Sequence, residues 1–204
     1  MEDKISKIFD FLKIVEELKK TERWGTIRNM GRKESSADHS WSLAVFILVV
    51  AAELKIDVDI LKSLKIALVH DLVEALAGDV DQVLIVTGRI TKKQKIEAET
   101  KAMDEIYKTL PPESGKEIKQ LWLEYEEGKT KEALLVKAMD KIESINHILN
   151  KGHGCFDYPE LIAPYPNNAV NKFPELKPVL KELQKRLKPE YKKHGWEWTD
   201  EYCV

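Results

Sequence analysis

Apolar residues recur at three- and four-residue spacings along almost the whole chain, and no window alternates apolar and polar residues between hairpin turns. That regularity predicts an all-α fold. Ile5, Ile8, Phe9, Leu12, Val15 and Leu18 make one stripe, and Leu43, Phe46, Ile47 and Val50 another. Leu61, Leu64, Ala67 and Leu68 make a third, followed by Met103, Ile106 and Tyr107 in a helix that Thr91 would cap. Ile118, Leu121, Trp122 and Tyr125 form a shorter stripe, and Leu134, Leu135, Ala138, Ile142, Ile145 and Leu149 a long one. A last helix is expected over Phe173–Leu187, with Pro174 in its first turn. Residues 151–173 lack a period and read as one long connection. The chain of 204 residues fits one helical domain over 1–190, followed by an aromatic tail over 191–204 that packs on the core or on a partner subunit.

One segment carries residues that a core alone would not select. Ile66 to Asp79 is apolar enough to lie at the centre of the fold, yet it holds His70, Asp71, Glu74 and Asp79 and no Lys or Arg. A buried, uncompensated carboxylate costs several kcal/mol, so a divalent cation is the economical partner. His70 and Glu74 are four apart, which on a continuous helix puts them on one face. His70 and Asp71 are adjacent, about 100° apart around a helix, and share an ion only near a helix end. Further ligands must come from other helices. His39 follows Ser35, Ser36 and Asp38, any of which could cap a helix start. Asp140 is a carboxylate in a helix with a strong apolar face. His39, His70, Asp71 and Asp140 together offer two imidazoles and two carboxylates. That set suits one divalent ion (Mn, Fe, Co, Ni, Zn or Mg), with positions left for water or substrate.

Composition narrows the partners. With 33 basic and 35 acidic residues the net charge is −2, which lacks the basic footprint of a nucleic-acid polymer binder. No apolar run approaches the roughly 20 residues of a membrane span, and the charged start MEDKISKIFDFLK does not read as a signal peptide. Cys155 and Cys203 do not form a disulfide framework, so a reducing cytoplasm is the expected compartment. The charged stretch Lys92–Lys101 reads as a solvent face, and His147 as a core or supporting residue outside the site.

At these residues the sequence resembles the HD-domain metal-dependent phosphohydrolases, whose ligand pattern H…HD…D is matched by His39, His70–Asp71 and Asp140. Arg23–Trp24, Arg28–Asn29, Glu34–Ser35, Glu74 and Gly78–Asp79 are similar to the 5′-deoxynucleotidase branch, as are Leu121–Glu127 and Val136–Lys137. The chain departs from that branch after Asp79, where Val80-Asp81-Gln82-Val83 replaces a proline-containing turn. The resemblance implies removal of phosphate from deoxyribonucleoside 5′-monophosphates by a metal-activated water, in a homodimer. It implies that Glu74 orients or deprotonates the water, and that Arg23 holds the phosphate with its guanidinium fork. Trp24 would pack on the sugar or base. Asp79 would face the sugar or assist the leaving oxygen, or else serve only the turn after Gly78. Lys137 either neutralises site carboxylates or snorkels. The alternatives are an HD phosphohydrolase of nucleoside triphosphates, cyclic nucleotides or guanosine tetraphosphate, and a non-catalytic metal-binding regulatory module.

Overall fold

The computed structural model describes residues 2–26, 31–151 and 158–203; the side chains of residues 24–26 and 151 lie outside that description. Helices α2 (Ser36–Glu53), α3 (Ile60–Val69) and α8 (Lys131–Lys151) pack together at the centre. Leu43 and Ile47 of α2, Ile66 of α3, and Leu135, Met139 and Ile142 of α8 are essentially solvent-free. Helix α11 (Lys177–His194) closes this cluster with Leu180, Leu187 and Tyr191. A second apolar cluster joins α6 (Lys92–Thr109) to α7 (Pro112–Glu127) through Met103, Ile106 and Trp122. Phe11, Ile14 and Val15 of α1 (Glu2–Leu18) cover its edge. Val69 touches both clusters, so the residues that follow it, His70 and Asp71, emerge at the seam between two cores.

Local chemistry sets the helix ends. Ser35 caps α2 in a capping box: its Oγ accepts from the Asp38 N–H, and Asp38 accepts from the Ser35 N–H. Asp59 caps α3, Thr91 makes a second capping box at α6, and Pro112 stands in the first turn of α7. Gly128 ends α7 with φ +57°, a left-handed value that favours glycine.

Four expectations are corrected. The apolar pattern of Leu68, Val69, Leu72 and Val73 suggests one helix through His70 and Glu74. Instead α3 stops at Val69, a turn spans 70–73, and α4 is a separate piece (Glu74–Ala77). The turn is closed by N–H bonds from Leu72 to Val69 O and from Glu74 to Asp71 O. Second, a short antiparallel pair exists: β1 (Glu22–Thr26) with β2 (Lys33–Ser35). Strands of five and three residues are too short to show an alternating window. Third, the described part of the 151–173 connection contains α9 (Pro159–Ile162) and α10 (Asn167–Lys172), each too brief to display a helical period. Fourth, the last helix begins at Lys177, after a 3₁₀ turn at Pro174–Leu176. Phe173 precedes a proline, which disfavours the helical region, and its φ and ψ are −135° and 74°.

Helix α11 runs through position 190 to His194, and the aromatic tail folds back on this chain's own core. The rings of Trp196, Trp198 and Tyr202 meet the Tyr191 ring edge-on at 5.7, 5.1 and 6.1 Å. Among the described residues, no helix is long and apolar enough to cross a membrane.

Candidate metal centre and active-site cavity

His39 stands in the first turns of α2, held there by the Ser35 cap and by Arg32, whose Nη1 donates to Asp38 at 2.6 Å. Its ring is fully buried. Nδ1 donates to Glu143 at 2.6 Å, and Nε2 lies 3.1 Å from Asp140 Oδ1. Burial and the nearby Arg23 charge oppose protonation of His39. The hydrogen bonds to Asp140 and Glu143 more than offset them and push its pKa up to about 10.

His70 is the C-cap of α3. Its Nδ1 donates to the Ala67 carbonyl at 2.8 Å, which leaves Nε2 as a lone-pair atom. That nitrogen is buried and makes no hydrogen bond, although Asp71 Oδ2 lies 3.2 Å away. Ligand atoms of His39, His70 and Asp71 all fall within 4.8 Å of one another. Asp140 joins them through His39, and its Oδ2 accepts from the Tyr125 hydroxyl at 2.9 Å. Burial opposes the charge on Asp71 and Asp140. The adjacent His70 ring and the Arg23 charge hold Asp71, and the His39 hydrogen bond holds Asp140, well below the ordinary carboxylate range. Glu34, His39 and Glu143 form a second close group that shares His39 with the first.

Arg23 reaches the site from β1. Nη1 donates to Asp71 at 2.9 Å and Nη2 to Ser144 at 3.4 Å; Glu34 lies 3.7 Å from Nε and Glu74 4.0 Å from Nη1. Burial opposes its charge, but Asp71, Asp79 and Glu74 overcome that and strengthen it. Glu74, 3% exposed, opens α4 and accepts from Ser36 Oγ at 2.6 Å. Burial, then Asp71 and Asp79, raise its pKa well above the usual value. Asp79 follows Gly78 (φ +77°) on the cavity wall, and burial raises its pKa too. The backbone of Trp24 lies in β1; its side chain, and Arg28–Asn29 entirely, fall outside the described residues.

Arg23, His70, Asp71, Glu74, Asp79 and Asp140 line one cavity of about 310 Å³. Its lining carries the charged Arg23, Asp71, Glu74, Asp79 and Asp140, together with the apolar and aromatic Ile145, Ile148, Leu161, Tyr158 and Tyr165. The arrangement can take a ligand with one anionic end and one flat, apolar end.

A model of the HD domain matches residues 15–159. This chain belongs to the HD-domain family. The HD-domain chain is 40% identical over 147 residues to the 5′-deoxynucleotidase of Dictyostelium discoideum, covering 69% of this chain and 75% of that protein. It is 31% identical over 180 residues to the human 5′-deoxynucleotidase, covering 87% and 84%. Among solved structures, a protein described as a predicted metal-dependent phosphohydrolase from Magnetospirillum magnetotacticum shares the fold. Its TM-score is 0.75 and its identity 22%, over 99% of each chain. A conserved hypothetical protein from Pyrococcus furiosus gives a TM-score of 0.63 at 28% identity, over 87% of this chain and 99% of that one.

Several cavity residues of the HD-domain chain escaped the sequence reading. Lys95 and Glu99 lie in the stretch read as a solvent face, yet both line the cavity, and Glu99 is 7% exposed. The signal was present: Glu99, Ala102, Met103 and Ile106 share one helical face, and Lys95 is one turn earlier. Glu143 is three residues from Asp140 on the same helix, beside the buried Ile142. Its role beneath His39 is visible only when α2 packs on α8. His147 also lines the cavity, with Nδ1 3.0 Å from Glu34 Oε1.

Proposed function

We propose that this HD-domain chain is a divalent-metal-dependent 5′-deoxynucleotidase. The observation that carries the reading is the convergence of His39, His70 and Asp71 within 4.8 Å, with His70 Nε2 buried and without a hydrogen bond. A buried imidazole lone pair with no donor is costly unless a cation accepts it. The donor set fits the group: His39 and His70 supply nitrogen, Asp71 and Asp140 oxygen, and Glu143 supports the far nitrogen of His39. Mn, Fe, Co, Ni, Zn and Mg all suit such a set. When bound, the cation supplies Lewis acidity towards a phosphoryl oxygen and acidifies water.

The chain's own residues do the rest. Glu74, fixed by Ser36, takes the proton of the attacking water; burial gives its carboxylate the raised basicity that this step uses. Arg23 anchors Asp71 and presents its guanidinium to the phosphate oxygens. Asp79 faces the sugar. The apolar lining of Ile145, Ile148 and Tyr158 takes the nucleoside. The names and identities of the Dictyostelium and human relatives support a deoxynucleoside 5′-monophosphate as substrate. A homodimer is supported by the solvent-facing stripe of α2, where Trp41, Leu48 and Val49 are 67, 51 and 53% exposed. The cysteine content supports a reducing, cytoplasmic setting.

The test is phosphate release from a panel of deoxy- and ribonucleoside 5′-monophosphates and triphosphates, with Mn, Co, Ni, Zn or Mg added. Release from deoxynucleoside monophosphates is expected to be fastest. Triphosphate cleavage without monophosphate cleavage would identify another HD phosphohydrolase, and no cleavage of any substrate a regulatory metal-binding module. Light scattering of the purified protein tests the dimer.

A further inference from the structure

The reading above gives the substrate phosphate a single protein cation, Arg23, and that guanidinium is already engaged by Asp71 and Ser144, with Glu34 and Glu74 close by. A phosphate monoester carries close to two negative charges near neutral pH. The same cavity offers three ammonium groups from other elements: Lys95 from α6, and Lys137 and Lys141 from one face of α8. They are held unequally. Lys95 Nζ lies 3.3 Å from Glu99. Lys141 Nζ lies 3.2 Å from the Tyr165 hydroxyl and 3.9 Å from Asp140. Lys137 has no carboxylate within ion-pair distance among the described residues. Its Nζ stands 4.0 Å above the ring of Tyr125, the residue whose hydroxyl holds Asp140. Glu99 meets Lys95 and Asp140 lies near Lys141, whereas the Lys137 head rests only on the Tyr125 ring among the described contacts, so an anion entering the cavity finds that ammonium group available.

We propose that Lys137 is a phosphate-binding residue, flanked by Lys95 and Lys141, so that a phosphate monoester dianion is gripped between this lysine wall and Arg23. The proposal rests on the nucleotidase reading and extends it to the group that meets the second charge of the substrate. A lysine head is a compact point charge that swings on a flexible stem, and the Tyr125 ring gives it a resting place while the cavity is free of anion.

The probe is inorganic phosphate, titrated calorimetrically into the metal-loaded protein. Lys137→Met, which keeps the apolar stem over Tyr125, is expected to weaken phosphate binding by about 10- to 100-fold, the worth of a charged hydrogen bond. Its metal content and Tm should match the parent, and its KM for a deoxynucleoside monophosphate should rise more than its kcat falls. Lys137→Arg should recover most of the loss. Lys95→Gln, on a different helix, should weaken phosphate binding several-fold and guards against a Lys137→Met protein that does not fold. The proposal is overturned if the parent binds no phosphate. It is also overturned if Lys137→Met binds phosphate within twofold of the parent, or, should that variant not fold, if Lys95→Gln does so. The two readings fail separately. A parent that hydrolyses deoxynucleotides while Lys137→Met retains the parental KM keeps the nucleotidase and loses the lysine site. A parent that cleaves nothing, yet binds phosphate through Lys137, does the reverse.

Discussion

Two groups of charges around the cavity are built on different principles. Among the charges carried by β1, α2, α4, α8 and the 70–73 turn, each is met by a group from another element: Arg23 by Asp71, His39 by Asp140 and Glu143, Glu74 by Ser36. On α6, Lys95 and Glu99 pair with each other, one turn apart on one helix. A network that crosses elements exists only when the whole bundle is assembled, so it ties ligand geometry to tertiary packing. A pair within one helix survives small shifts of that helix. Substitutions in the first group should therefore damage metal binding and chemistry, and those in the second should leave the metal in place.

That contrast can be broken at graded strength. His70→Ala removes the imidazole at the seam between the two cores. It is expected to lose the metal, measured by elemental analysis, and to lower kcat/KM by about 10³-fold or more. Glu74→Gln should keep the metal and lower kcat by about 10²-fold or more in a phosphate-release assay, because the acceptor for the water proton is gone. Parental turnover would remove Glu74 from its assigned role. Glu143→Gln touches only the far nitrogen of His39, and should weaken metal affinity by about 10- to 100-fold in a competition titration with a chelator. The pH dependence has a definite sign. With its pKa at about 10 in the metal-free protein, His39 must release a proton to bind a cation. Apparent metal affinity should thus rise about tenfold per pH unit below that value, and calorimetry in buffers of different ionisation enthalpy would count the proton. Glu99→Gln, on α6, should change kcat/KM by only about twofold. A loss as large as that of Glu143→Gln would erase the distinction between the groups.

The first group was also the more legible in the sequence. His70 and Asp71 betray themselves as ionisable groups in an apolar stretch where no basic neighbour compensates them, and Asp140 as a carboxylate in a helix with a strong apolar face. His39 follows a readable cap, and Ser35 with Asp38 forms it. The helix break at His70 was hidden, because Leu72, Val73 and Leu76 continue the apolar period while the backbone turns. The β1–β2 pair that delivers Arg23 was hidden by its shortness. Lys95 and Glu99 were masked by composition: among so many charged neighbours an inward-facing pair looks solvated, although Ala102, Met103 and Ile106 mark the face. Glu143 could not be assigned, since the sequence contains the carboxylate but not the packing of α2 against α8 that brings it to His39.

The proposed chemistry requires one cation among His39, His70, Asp71 and Asp140. Crystals grown with manganese, measured at its absorption edge, show whether it is there. One anomalous peak is expected within bonding distance of those four side chains. A peak elsewhere, or none at full manganese occupancy of the solution, would contradict it.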